Sequence, residues 1–123
     1  MTVALLGRNL MIASRIAAAA ERAGVAFIRV DDPSALPPAG QLDLLLVDWG
    51  ERTADWGRQI TAWCANAPES ARPRVVVFGP HVDVEAHAAA RRAGLGPMLA
   101  RSKLLTGLPG LLGQLGPAGS IAP

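Results

Sequence analysis

The run LDLLLVDW at residues 42–49 limits the fold more than any other stretch of the chain, because every residue between Asp43 and Asp48 is apolar. A strand with one wet face alternates apolar and polar residues. A strand without alternation is buried on both faces, as in a parallel sheet covered by helices on either side. Four further strand runs flank it in sequence: TVALL at 2–6, Val25 to Val30, Arg74 to Phe78 with its three consecutive valines, and the short Pro97 to Ala100. Strand three itself reads from Leu42 to Val47. In an open parallel sheet, ligands and chemistry collect in the crevice outside the strands' carboxyl ends, so Asp48 is the first candidate for a functional role.

The segments between these runs carry helix signals. Asn9 reads as a cap, Ile12, Ile16, Ala20 and Ala23 recur at helical spacing, and Gly24 supplies a stop. Asp31, Asp32, Pro37 and Pro38 mark a loop or at most a broken turn of helix. Residues 54–66 place Trp56, Ile60, Trp63 and Cys64 on one helix face. Asp83 caps helix four, which runs to about Ala93, with Val84, Ala88 and Ala90 inward and Arg91 and Arg92 toward water; Gly94 ends it. Pro109 argues against one helix from Ser102 onward and fits the first turn of a separate helix holding Leu111, Leu112 and Leu115. Residues 116–123 read as a frayed tail. The alternation predicts an α/β three-layer sandwich over residues 1–115, with a flavodoxin-like five-stranded parallel sheet of order 2-1-3-4-5.

At 123 residues, half of them apolar, the chain holds one core of ordinary size. Twelve basic against ten acidic residues leave a formal charge of +2, and the arginines are scattered without interleaved aromatics, which argues against a nucleic-acid surface. A lone cysteine excludes an intrachain disulfide, and no His/Cys cluster has metal-ligand spacing. Arg8 and Arg15 interrupt the early apolar stretch well before membrane-spanning length, and no signal-peptide pattern precedes it. The expected compartment is the cytoplasm, with no membrane partner. The GRN run at 7–9 lacks the glycine patterns of dinucleotide and P-loop sites, so no cofactor is expected.

The order of elements, the DLLLVD run ending in Asp48, AARRAG before the last strand and MLARS at 98–102 together resemble the receiver domain of bacterial two-component response regulators, over roughly residues 2–115. The resemblance implies a signalling domain that takes a phosphoryl group on the aspartate ending strand three. It also implies a divalent metal held by that aspartate and an acidic pair after strand one, because the metal gathers oxygen ligands and screens the incoming charge. This chain departs from that pattern at three places. Gly7 and Arg8 stand where the acidic pair belongs, Gly79 stands where a serine or threonine hydroxyl would meet the phosphoryl group, and Arg101 stands at the lysine position, with Lys103 two residues on.

The expectation is therefore a degenerate receiver, or pseudo-receiver, with no enzyme activity and no metal site, acting by binding another protein or itself. Two alternatives stay open: a single-domain response regulator phosphorylated on Asp48, and a small anion- or nucleotide-sensing domain with its ligand near Arg8 and Arg101. In the leading reading, a charge-assisted hydrogen bond from Arg8 or Arg101 to Asp48 fixes the loops that a metal would otherwise organise. Trp49 is a candidate contact anchor, or else folds back over the core. Leu104, Leu105, Leu108, Leu111 and Leu112 exceed the apolar needs of a short terminal helix, and Met98 and Leu99 lie in the adjacent short strand. They suggest a dimer or partner face built from helix four, strand five and the terminal helix, unless they pack on the sheet of a monomer. Asp31 and Asp32 read as loop or cap residues, Cys64 as a small core residue, and His81 and His87 lack the nucleophile or carboxylate that acid–base catalysis needs.

Overall fold

In the computed structural model, which describes residues 1–115, five strands alternate with four helices. In chain order these are β1 (Thr2–Leu6), α1 (Leu10–Ala23), β2 (Ala26–Val30), β3 (Leu44–Asp48), α2 (Trp56–Ala65), β4 (Arg74–Gly79), α3 (Val84–Arg92), β5 (Leu99–Ala100) and α4 (Arg101–Gly113). The expected tail at 116–123 lies outside the described residues. All four strand pairings are parallel and the order is β2-β1-β3-β4-β5, as the sequence predicts.

The two-faced apolar runs explain the three layers. Val3, Leu5, Leu44, Leu46 and Phe78 point toward α1 and α4, while Ala4, Leu6, Leu45, Val47 and Val77 point toward α2 and α3. Successive residues of β3 thus enter different cores, which is why the run has no polar position. The caps also follow the sequence: the Asn9 side chain accepts from the Met11 and Ile12 N–H groups, Gly24 turns left-handed at φ 70°, and Asp83 accepts from the Ala86 N–H. Between β2 and β3 there are only two 3-10 turns, Pro33–Ala35 and Ala39–Gln41, because the prolines interrupt any longer helix.

Three expectations require correction. Pro109 does not divide the terminal segment: α4 runs through it as one helix. Proline inside a helix costs about 3 kcal/mol, but each fully buried leucine contributes roughly 1.5–3 kcal/mol, and the continuous helix aligns three of them, Leu104, Leu108 and Leu112. The supposed surface leucines are consequently core: Leu104, Leu108 and Met98 are buried and Leu105 is half-buried, so they do not form an open dimer face. In α3 the inward residues are Ala86 and Ala90, while Val84 is 80% exposed because it starts the helix on the side away from the sheet.

Leu108→Ala is expected to cost about 2–5 kcal/mol in urea unfolding, whereas Met11→Ala, at a side chain 79% exposed, should stay within about 0.5 kcal/mol of the parent. Equal losses at the two positions would contradict this assignment of the core.

Candidate functional site

β3 delivers Asp48 to the carboxyl edge between its neighbours β1 and β4, whose exits are Gly7 and Gly79. Asp48 is 1% exposed and is the buried charged residue of the described chain. Its burial depends on glycines. A Cβ on Gly7 would lie 2.8 Å from Asp48 Cβ, and one on Gly79 would lie 2.9 Å from Met98 Sδ and 3.3 Å from the Gly50 nitrogen. Position 7 has no room for a side chain, so the β1 exit closes directly on the carboxylate, whereas position 79 is tight against the Gly50 backbone and the flexible end of Met98. Gly50 in the following turn is similarly constrained, with its Cβ position 3.1 Å from Pro80 Cδ.

The electrostatics are unfavourable to the charged form. Asp48 Oδ1 is buried without a hydrogen-bond partner among the described residues, and the Arg101 Nη2 lies 3.8 Å away. That distance is an ion pair without a hydrogen bond. The expected charge-assisted bond is thus replaced by a loose contact from Arg101, and neither Arg8 nor Lys103 substitutes for it. Arg8 is exposed; its backbone N–H donates to Glu51 Oε1 at 2.8 Å, and its charge helps to lower the pKa of Asp32, after the two hydrogen bonds from Ser34. Lys103 is exposed on α4. Arg29 serves the β1 exit instead, donating to the Gly7 carbonyl at 3.1 Å while pairing with Asp31.

Glu51 escaped the sequence reading. It sits in the 3-10 turn Trp49–Glu51 directly after β3, and its spacing of three from Asp48 was the available signal. Burial first, and then the neighbouring Glu51 charge, push the Asp48 carboxyl up to about 6, with Arg101 opposing. Two adjacent carboxylates invite a cation, but the set does not fit one. A hard divalent ion needs several oxygen ligands, position 7 can supply none, and no group of three His, Cys, Asp or Glu side chains suited to a metal occurs among the described residues. Asp31 and Asp32 are committed elsewhere, to Arg29 and to the Ser34 N–H.

Trp49 is not a surface anchor. It is 2% exposed, and its indole N–H donates to the Ala86 carbonyl at 2.9 Å, fixing the turn after β3 to α3. Arg52 covers the ring 5.4 Å from its centroid. His87 meets the His81 backbone carbonyl at 2.8 Å, near no nucleophile among the described groups, and the half-buried Cys64 thiol is pushed up by burial, away from the reactive thiolate.

A carboxyl that holds its proton more tightly in the folded chain adds stability below its ordinary value of 3.8 and loses it as pH rises through about 6. At neutral pH, ionised Asp48 therefore destabilises the fold. Asp48→Asn should raise the thermal midpoint at pH 7.5 and leave it nearly unchanged at pH 4. A variant less stable than the parent at pH 7.5 would show that the carboxylate is well paired.

No protein-family model matches the chain, and a search of curated proteins finds no match. Solved structures do match. A response regulator protein from Burkholderia multivorans superposes with a TM-score of 0.70 at 20% identity, covering 93% of each chain. A response regulator from Thermotoga maritima gives 0.66 at 18% identity, over 93% of this chain and 95% of the other. The pilus assembly protein CpaE from Caulobacter crescentus CB15 gives 0.59 at 18% identity, over 94% and 92%. The matches are distant in sequence and near-complete in length, and they agree with the strand order: the chain has the flavodoxin-like fold of response-regulator receiver domains.

Proposed function

We propose that this chain is a degenerate receiver: a non-enzymatic, cytoplasmic signalling domain that acts by binding protein rather than by accepting a phosphoryl group. The single observation that carries the reading is the closure of the β1 exit on Asp48. A phosphoacceptor needs an accessible oxygen, a metal anchor beside it and a hydroxyl or amide to meet the phosphoryl group. Here the acceptor is 1% exposed, the anchor position is Gly7, where a Cβ would meet Asp48 Cβ at 2.8 Å, and the hydroxyl position is Gly79, which carries no side chain. The same fold in a protein named for pilus assembly agrees with a role in assembly or docking.

With Trp49, Met98, Leu104 and Leu108 in the core, contacts fall to other residues. The strongly exposed apolar side chains Leu10, Met11, Val82 and Val84 all lie in segments that leave the carboxyl edge of the sheet, as do the exposed Arg8 and Arg101. We assign the protein-binding role to that edge. No helix among the described residues is long and apolar enough to cross a membrane.

The competing reading, phosphorylation of Asp48, has the nearby Glu51 carboxylate in its favour. Intact-mass measurement after exposure to a small phosphodonor, with and without Mg²⁺ and with Asp48→Asn as control, separates the two. No adduct is expected under conditions that label a competent receiver. A Mg²⁺-dependent adduct lost in the Asn variant would make the chain a phosphorylation switch.

A further inference from the structure

A second concentration of charge lies on the α2–α3 face, beyond the turn that follows Asp48. A cleft of about 430 Å³ opens between the turn after β3, α2 and α3, and its walls include Trp49, Arg52, Gly57, Arg58 and Arg92 together with the carboxylate-bearing Glu85. That volume falls in the range of small-molecule sites, roughly 300–1,000 Å³. We propose that this cleft binds the phosphate group of a small phosphorylated molecule, held among Arg52, Arg58 and Arg92.

Three cations from three separate segments converge on one concavity, and each has only part of its guanidinium engaged. Arg52 donates one Nη to the Trp49 carbonyl at 3.1 Å and lies over the Trp49 ring, which fixes its plane. Arg58 uses one Nη on Asp55 at 2.8 Å, and Arg92 uses one on Glu85 at 2.6 Å. A guanidinium carries five N–H donors, so each retains donors for a ligand. The Asp55 and Glu85 partners are 60% and 68% exposed, and exposed pairs of this kind contribute little to stability. A phosphate dianion accepts two parallel N–H bonds from an arginine and competes well for such groups.

The floor of the cleft is bare for a steric reason. A Cβ on Gly57 would lie 2.8 Å from Ala93 Cβ and 3.6 Å from Trp49 Cη2, so glycine there lets α2 and α3 approach. Thr53 adds a hydroxyl to the wall, and the first turn of α2, where Asp55 makes no side-chain cap, adds partial positive charge. A cleft between two helices suits a small molecule better than an extended polymer. The lining includes none of Gly7, Asp48, Gly79 and Arg101, so its failure would leave the receiver reading untouched.

The test is an amide and indole NMR titration of the whole chain with inorganic phosphate and with pyrophosphate, at ionic strength held constant with chloride. Saturable shifts are expected at Arg52, Gly57 and Arg58 and at the Trp49 indole N–H. Arg58→Gln and Arg92→Gln should each weaken binding by about tenfold, while Glu85→Gln, which removes a competing carboxylate, should tighten it. All three side chains are exposed, and unchanged melting curves check that the variants fold. Shifts that do not saturate, shifts centred on Gly7 to Asn9 and Arg101 to Lys103, or saturable binding indifferent to the arginine substitutions would overturn the proposal.

Discussion

The close passage of the β1 exit past Asp48 governs the whole carboxyl edge. With 2.8 Å between the Asp48 Cβ and the place where a Gly7 Cβ would be, β1 can leave the sheet only as glycine. That approach removes the space in which a second carboxylate would sit and shuts water away from the first. The consequences are electrostatic: a desolvated carboxylate with an unpartnered Oδ1, an exposed arginine at 3.8 Å and a neighbouring glutamate. None of these stabilises the ionised form as a metal would. The backbone at position 7 thus sets the electrostatic surroundings of Asp48.

The hydrophobic layers hold this edge in place. On the α1–α4 side, Ile12 and Ile16 meet Leu104, Leu108 and Leu112 across the sheet residues Leu44 and Leu46. The opposite side has one helix fewer than strand-by-strand alternation would supply, since only 3-10 turns join β2 to β3. Tryptophans fill much of that volume: Trp49 and Trp56 are buried there, and Trp63 packs beside them while its indole donates to the Pro37 carbonyl at 2.7 Å. Trp56 Nε1 is buried and has no hydrogen-bond partner among the described residues.

The sheet was legible because uninterrupted apolar runs, glycine stops and Asn9 and Asp83 caps are local signals that agree with the global fold. The interruption after β2 was legible for the same reason, through its prolines. What failed were judgements that depend on partners distant in sequence. Pro109 carries a local penalty, and only the stripe of leucines packed against α1 shows why the helix continues. Trp49 beside Asp48 looked available because its acceptor, the Ala86 carbonyl, lies 37 residues away. Asp48 itself was identifiable from its strand, but its lack of a hydrogen-bonded cation follows from the directions in which the Arg8 and Arg101 side chains leave the backbone, which no spacing encodes.

The most direct measurement is the titration of the Asp48 side-chain carboxyl carbon by NMR, with and without Mg²⁺. A closed, anchorless site predicts a midpoint near 6 that Mg²⁺ leaves in place. A midpoint at or below the ordinary carboxylate value of 3.8, falling further when Mg²⁺ is added, would contradict the account by revealing an open acidic site that binds metal.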